Sequence, residues 1–149
     1  MKRIILASIV LISIGIGFSA CSKNDSVYNS PVGIAAKING LQWNSSTTTV
    51  TQNNVSGQTY LTITGQITGN RQDNISLTLQ NYTGMGTYKI SPIWSSASYN
   101  YGTAEHTAAT GTIVVTNSTA TFVQGTFTFQ AEDSTYVITS GTFNTSLKQ

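Results

Sequence analysis

The sequence predicts an all-β domain: an antiparallel β-sandwich of about nine short strands, with a β-barrel as the alternative way of closing the same sheet. Three observations carry this. First, apolar residues alternate with Thr, Ser and Gln in Leu61/Ile63, Ile75/Leu77/Leu79, Ile113/Val115 and Val123/Phe127/Phe129, the period of two that puts one face of a strand in a core and the other in water. Second, the breaks between runs are short: Asn53-Asn54, Gly69-Asn70, Asn117-Ser118 and Glu132-Asp133. Such breaks favour antiparallel neighbours over helical crossovers. Third, no stretch from Val32 onward shows a helical period.

The elements follow in chain order. Lys2-Arg3 form a basic n-region, and Ile4 to Phe18 form an apolar run interrupted only by the small residues Ser and Gly. A membrane-spanning helix needs about 20 apolar residues, so residues 1–20 read as a cleaved export signal. The run ends in Phe18-Ser19-Ala20-Cys21, which resembles a lipobox with Phe18 where Leu is usual. Cys21, the only cysteine, is therefore expected to be lipidated, with palmitate among its chains. Two or more chains hold a protein on a membrane, since each buried methylene adds about 0.8 kcal/mol. A lone cysteine also excludes an internal disulfide, so packing alone must hold the fold. Residues 21–31 read as a polar, lipidated tether, and residues 32–149 as the domain. The expected address is the cell envelope, at the outer membrane, on its periplasmic or surface face. Ser22 supports this, because it does not resemble the Asp of an inner-membrane retention signal.

Within the domain, strands are expected at 33–38, 41–43, 47–52, 60–66, 74–80, 86–90, 98–101, 111–116, 120–130 and 135–144. Asn39-Gly40 between the first two predicts a type I′ hairpin, whose central residues both need positive φ. Trp43 is assigned to the core. The look-alike segments Gly125-Thr126-Phe127 and Gly141-Thr142-Phe143 flank Glu132-Asp133 and are expected to pair as a hairpin.

Charge narrows the partners. Only 8% of residues are charged, against 39% hydrophobic. Beyond residue 20, Lys23, Lys37, Arg71, Lys89 and Lys148 balance Asp25, Asp73, Glu105, Glu132 and Asp133. Without a basic cluster there is no electrostatic footprint for nucleic acid, so neither DNA nor RNA is expected as a partner. No metal and no cofactor is expected either. One histidine, with the lone cysteine taken by lipid, falls short of a four-ligand zinc site, and Asp73 and Asp133 are too thin an inventory for calcium.

Catalytic residues are expected to be absent. His106, in Gly102-Thr103-Ala104-Glu105-His106-Thr107, reads as an exposed loop histidine; as a general base with one of the many serines it is the centre of the alternative, an envelope hydrolase. Glu105, Glu132 and Asp133 are the nearest approach to a glycosidase carboxylate pair and read as solvated turn residues. Tyr82, Trp94, Tyr99 and Tyr101 are more informative, because rings among amides and hydroxyls suit sugar or peptide recognition. They form the candidate ligand platform; the competing assignment puts Trp94 in the core and the tyrosines at the sheet edge. Asp25-Ser26-Val27 and Asp133-Ser134-Thr135 resemble O-glycosylation acceptors, which makes Ser26 and Ser134 candidate modified residues.

Ala-x-Ile-Asn-Gly-x-x-Trp (36–43), Gly-x-Tyr-x-Ile (86–90), Gly-Thr-Ile-Val-Val-Thr (111–116), Val-x-Gly-Thr-Phe-x-Phe (123–129) and Ile-Thr-x-Gly-x-Phe (138–143) occur in this order. The set resembles a family of small uncharacterised all-β lipoproteins of Gram-negative bacteria. That resemblance implies an envelope domain and brings no catalytic residue. The functional expectation is a binding or interaction module for a glycan or protein ligand, held to the membrane through Cys21.

Overall fold

A computed structural model describes residues 32–69 and 73–147. The signal segment, Cys21, the tether and Ser26 lie outside the described residues. All ten described elements are strands: β1 Gly33–Ile38, β2 Leu41–Asn44, β3 Thr47–Val55, β4 Gln58–Gln66, β5 Asp73–Gln80, β6 Gly86–Ile90, β7 Ser96–Tyr101, β8 Ala104–Thr119, β9 Phe122–Ala131 and β10 Val137–Ser146. They form one antiparallel sheet in the order β2-β1-β10-β9-β8-β7-β5-β4-β3, curled into a half-barrel, with β6 added beside β8. The sheet therefore takes the curled, barrel-like form of the expected all-β domain. Its two halves share a strand and pack on one another.

β8 is the shared strand. Ala104 to Thr107 pair with β7, Gly111 to Val115 pair with β6, and β9 runs along the other edge. Register shifts at Ala108/Thr110 and Val115/Asn117 interrupt the β8–β9 ladder. Bulges of this kind bend a strand and raise its twist, which lets one long strand serve both halves. The halves touch at Gly65, where a Cβ would stand 2.8 Å from the Ile34 Cβ and 2.9 Å from the Ser45 Cβ. Only glycine permits that approach.

The predicted alternation is the core. Leu61, Ile63, Ile75, Leu77, Leu79, Ile113, Val123 and Ile138 are fully buried, each stabilising the fold by about 1.5–3 kcal/mol relative to exposure. Trp43 is buried with them, as expected. The Gly-Thr-Phe segments explain themselves through register: Gly111 faces Phe129, Gly125 faces Phe143 and Gly141 faces Phe127 across neighbouring strands. Each phenylalanine lies over a glycine, and a Cβ at Gly141 would come within 2.7 Å of the Phe127 ring. This pairing lets β8, β9 and β10 carry three large rings at normal strand spacing.

Asn39 and Gly40 have φ of 50° and 84°, the positive pair a type I′ turn requires. Several strands run further than their patterns. β3 continues through Asn53-Asn54 to a second positive-φ turn at Ser56-Gly57, because both faces of the hairpin tip are in water and alternation no longer marks it. Asn117-Ser118 lies inside β8, whose turn falls at Ala120-Thr121. The largest departure is Ala104 to Thr110, read as loop and observed as the first half of β8. Its inward positions are His106 and Ala108, too polar and too small to register as an apolar period.

Candidate functional site

At one end of the half-barrel the β1–β2 hairpin, the start of β5, the end of β7 and the lead-in to β10 enclose an open cleft of about 550 Å3. Tyr99 and Tyr101 sit two residues apart on β7, so both rings take the same face. Tyr99 is buried, and Tyr101 emerges at the rim, 39% exposed. Tyr136 meets Tyr99 edge-on at 4.9 Å and lies nearly parallel to Tyr101, at 30° and 6.5 Å between ring centres. From β2, Trp43 lines the wall, and Leu41 stands out 77% exposed.

Among the described residues, the polar lining is amide, phenol and one carboxylate. Gln42 Nε2 donates to Asn44 Oδ1 at 3.0 Å. Asp73, buried at the start of β5, accepts the Gly102 N–H at 3.4 Å. Asn39 holds the cleft's shape: its Nδ2 donates to the Thr135 carbonyl at 2.9 Å and its Oδ1 accepts the Val137 N–H at 2.8 Å. One side chain thus ties the β1–β2 hairpin to the β9–β10 connection. The Trp43 indole nitrogen is buried and has no acceptor among the described residues. Clefts of this size, with a few placed polar groups among rings, are the usual form of a small-ligand site.

The histidine expected in a loop instead buttresses this wall from β8. His106 faces Tyr99 across the β7–β8 register and packs edge-on against Tyr136 at 4.5 Å. Its Nδ1 is 2.7 Å from Asp133 Oδ2. Asp133 Oδ1 accepts the Thr135 N–H at 3.0 Å. The Thr135 N–H first, and the His106 contact second, hold the Asp133 carboxyl below its ordinary range, since both favour the ionised form. Two members of a hydrolase triad are thus adjacent, yet among the described residues no hydroxyl hydrogen bonds to His106 Nε2.

A family model described as Domain of unknown function (DUF6252) matches residues 29–146. The chain belongs to the DUF6252 family. No curated protein and no solved structure matches it.

The geometry divides the four rings of the expected platform. Tyr99 and Tyr101 share the cleft. Trp94 is 58% exposed in the connection after β6, beside Tyr88 and Lys89; the competing assignment to the core is not met. Ser95, its neighbour, bonds the Gln80 N–H at the far end of β5, so Trp94 lies about 23 Å along that strand from Asp73 at 3.3 Å per residue. Tyr82 is buried at the opposite end, its hydroxyl 2.7 Å from Ser118 Oγ. Ser134 is exposed on the β9–β10 connection with φ of 57°. Among the described residues, no group of three His, Cys, Asp or Glu is gathered where it could hold a metal ion.

Sequence reasoning missed Tyr136 and Leu41. Tyr136 carries a faint signal, alternating with Ile138 at the start of a strand. Leu41 carries none, because its exposure is decided by the hairpin's position over the cleft.

Proposed function

We propose that this DUF6252 chain is a lipid-anchored envelope protein whose β-domain is a binding module, with the aromatic cleft as its ligand site. The observation that carries the reading is the cleft's position. The described chain enters at Val32, where β1 begins opposite Asn144 near the end of β10, and the cleft lies past Ile38 at the other end of β1. Five residue steps at 3.3 Å put these ends about 17 Å apart. A domain tethered through residues 21–31 to Cys21 would turn the cleft away from the membrane that holds it.

The His106–Asp133 contact is the one observation favouring a hydrolase. We read the pair as structural, because it braces Tyr136 and the β9–β10 connection. Turnover of an ester or glycoside by the wild type that His106→Ala abolishes would reverse that assignment.

The binding reading is tested with the full chain in detergent, screened by thermal shift against envelope and host glycans and against peptides. A ligand held at 100 times its Kd stabilises by about 2.7 kcal/mol. The expected result is a shift that disappears in Tyr101→Ala; a shift that Tyr101→Ala leaves in place overturns the assignment of the cleft. The anchor has a separate test. Cys21→Ser should abolish acyl labelling and leave the precursor uncleaved, and labelling that persists removes the lipoprotein reading.

A further inference from the structure

We propose that the turn between β6 and β7 docks the anchored domain on an anionic phospholipid surface, with Ile93 and Trp94 entering the interface and Lys89 meeting the headgroups. The inference rests on the lipid anchor of the proposed function and adds how the domain sits on the membrane that holds it.

The turn is fixed before it meets anything. Pro92 pre-sets the backbone at the second position of a Ser91-to-Trp94 turn. The Trp94 N–H donates to the Ser91 carbonyl at 3.2 Å, and the Ser91 N–H donates to the Ser95 carbonyl at 3.1 Å. The feet of the turn, Ile90 and Ser95, are buried, and Ser95 Oγ accepts the Gln80 N–H at 3.1 Å. At the tip, Ile93 is 75% exposed and Trp94 58%. A turn braced in this way keeps an adjacent apolar pair presented to solvent, the kind of exposure that marks an interaction surface.

The three side chains match the layers of a lipid surface. An aliphatic side chain reaches the acyl chains, an indole settles at headgroup level with its ring in apolar and its N–H in polar surroundings, and an ammonium is drawn to anionic lipid. Lys89 is exposed on β6 and borders the same surface hollow as Trp94, together with Tyr88, Gln80 and Asn81. It makes no ion pair with any described residue, so its charge is open to a phosphate, and its long stem lets the ammonium reach out from the sheet. A sugar ring would use Trp94 and leave Ile93 in water; a bilayer takes both.

The anchor brings that surface within reach. The chain from Cys21 to Val32 spans at most about 40 Å even when fully extended. Docking of a domain held that close is an intramolecular step, so a two-residue wedge with one cation suffices where it would not hold a free protein. Along β5 the turn lies about 23 Å from Asp73, further than the roughly 5–10 Å to which such a wedge enters. A domain seated on the turn therefore keeps its cleft clear of the bilayer.

The test is tryptophan fluorescence of the full lipidated chain in phosphatidylcholine vesicles, with and without phosphatidylglycerol, using acyl-brominated lipid as the quencher. Flotation reads whether the chain is on the vesicles at all. Brominated lipid should quench a component of the emission that Trp94→Phe lacks, and phosphatidylglycerol should increase that quenching. Ile93→Ser and Lys89→Glu should each at least halve it with unchanged urea midpoints, because both positions are exposed. Quenching indifferent to phosphatidylglycerol and to Lys89→Glu would overturn the choice of an anionic surface. Trp43 is buried beside the cleft, so quenching that persists in Trp94→Phe would put the cleft side on the bilayer and overturn the inference. Flotation without quenching of Trp94 also overturns it and leaves the anchor standing, whereas a chain that does not float removes the anchor and the inference together.

Discussion

The two ends of the half-barrel are closed by the same kind of turn and do different things with it. Asn39-Gly40 and Ser56-Gly57 are both two-residue connections with positive φ at each position, set by local sequence alone. At Ser56-Gly57 the hairpin tip stands in water, and the nearby wall is built from Gln52, Asn53 and Asn54 with the Tyr82–Ser118 contact behind it. At Asn39-Gly40 the turn side chain reaches across to Thr135 and Val137, and rings fill the space beneath. Turn chemistry is therefore a poor guide to a site; what the turn side chain reaches in three dimensions distinguishes the two ends.

The comparison breaks most completely if the sheet joining the ends is disturbed. A Cβ at Gly125 would collide with the Val114 carbonyl oxygen and the Phe143 ring, so the strand must shift rather than one side chain rotate. Gly125→Ala is expected to cost about 3 kcal/mol, read as a lowered urea midpoint. Cleft and opposite end should melt in the same transition, because β8, β9 and β10 are common to both. A loss below about 1 kcal/mol would mean that the Gly–Phe pairing is not a packing constraint.

A change at one end should separate them. Asn39→Ala removes two hydrogen bonds, each contributing about 1 kcal/mol, and places a Cβ residue without local hydrogen bonding at positive φ. A loss of about 2 kcal/mol is expected, with Asn39→Gly losing less because glycine accepts the backbone angle. Both variants should also weaken a cleft ligand, since the hairpin carrying Leu41 to Asn44 is no longer tied to the β9–β10 connection. Full affinity in Asn39→Gly would show that this tie does not shape the site.

How far the sequence reveals these ends follows from the same geometry. Period-two alternation marks the inner faces of β4, β5, β8 and β9, because burying one face requires that pattern whichever strands are neighbours. Asn39-Gly40 was legible because two adjacent positive φ values restrict residue choice. The start of β8 was not, since His106 and Ala108 are held inward by the β7 and β9 ladders rather than by their own hydrophobicity. The site was legible by half. Tyr99 and Tyr101 share a strand face, so their spacing declares them neighbours. Tyr136 arrives from a distant strand, and Trp94, only five residues before Tyr99, is carried off along the sheet at 3.3 Å per residue. Chain proximity grouped rings that an extended backbone separates.

The opposite end provides the matched control. Tyr82→Phe deletes the hydroxyl that meets Ser118 Oγ at 2.7 Å and keeps the buried ring. The expected cost is about 1 kcal/mol, with cleft affinity unchanged. Altered ligand binding would mean that the two ends are coupled through the sheet.

The smallest expected effect concerns acid, and it sharpens the structural reading of His106. Asp133 has a carboxyl held below its ordinary range by the Thr135 N–H and by His106. For a carboxyl depressed in the folded state, the stabilisation is fully present above the unfolded value, near pH 3.9, and is lost as pH falls through the folded value. Asp133→Asn keeps an acceptor for the Thr135 N–H and removes the titration. The difference in urea midpoint between wild type and Asp133→Asn should therefore be constant from pH 5 to 7 in its Asp133 component and shrink below about pH 4. Because Asp133 is exposed, the change should be small. A difference that stays the same down to pH 3 would mean that the carboxylate does not brace Tyr136, leaving the ring stack alone to hold that wall of the cleft.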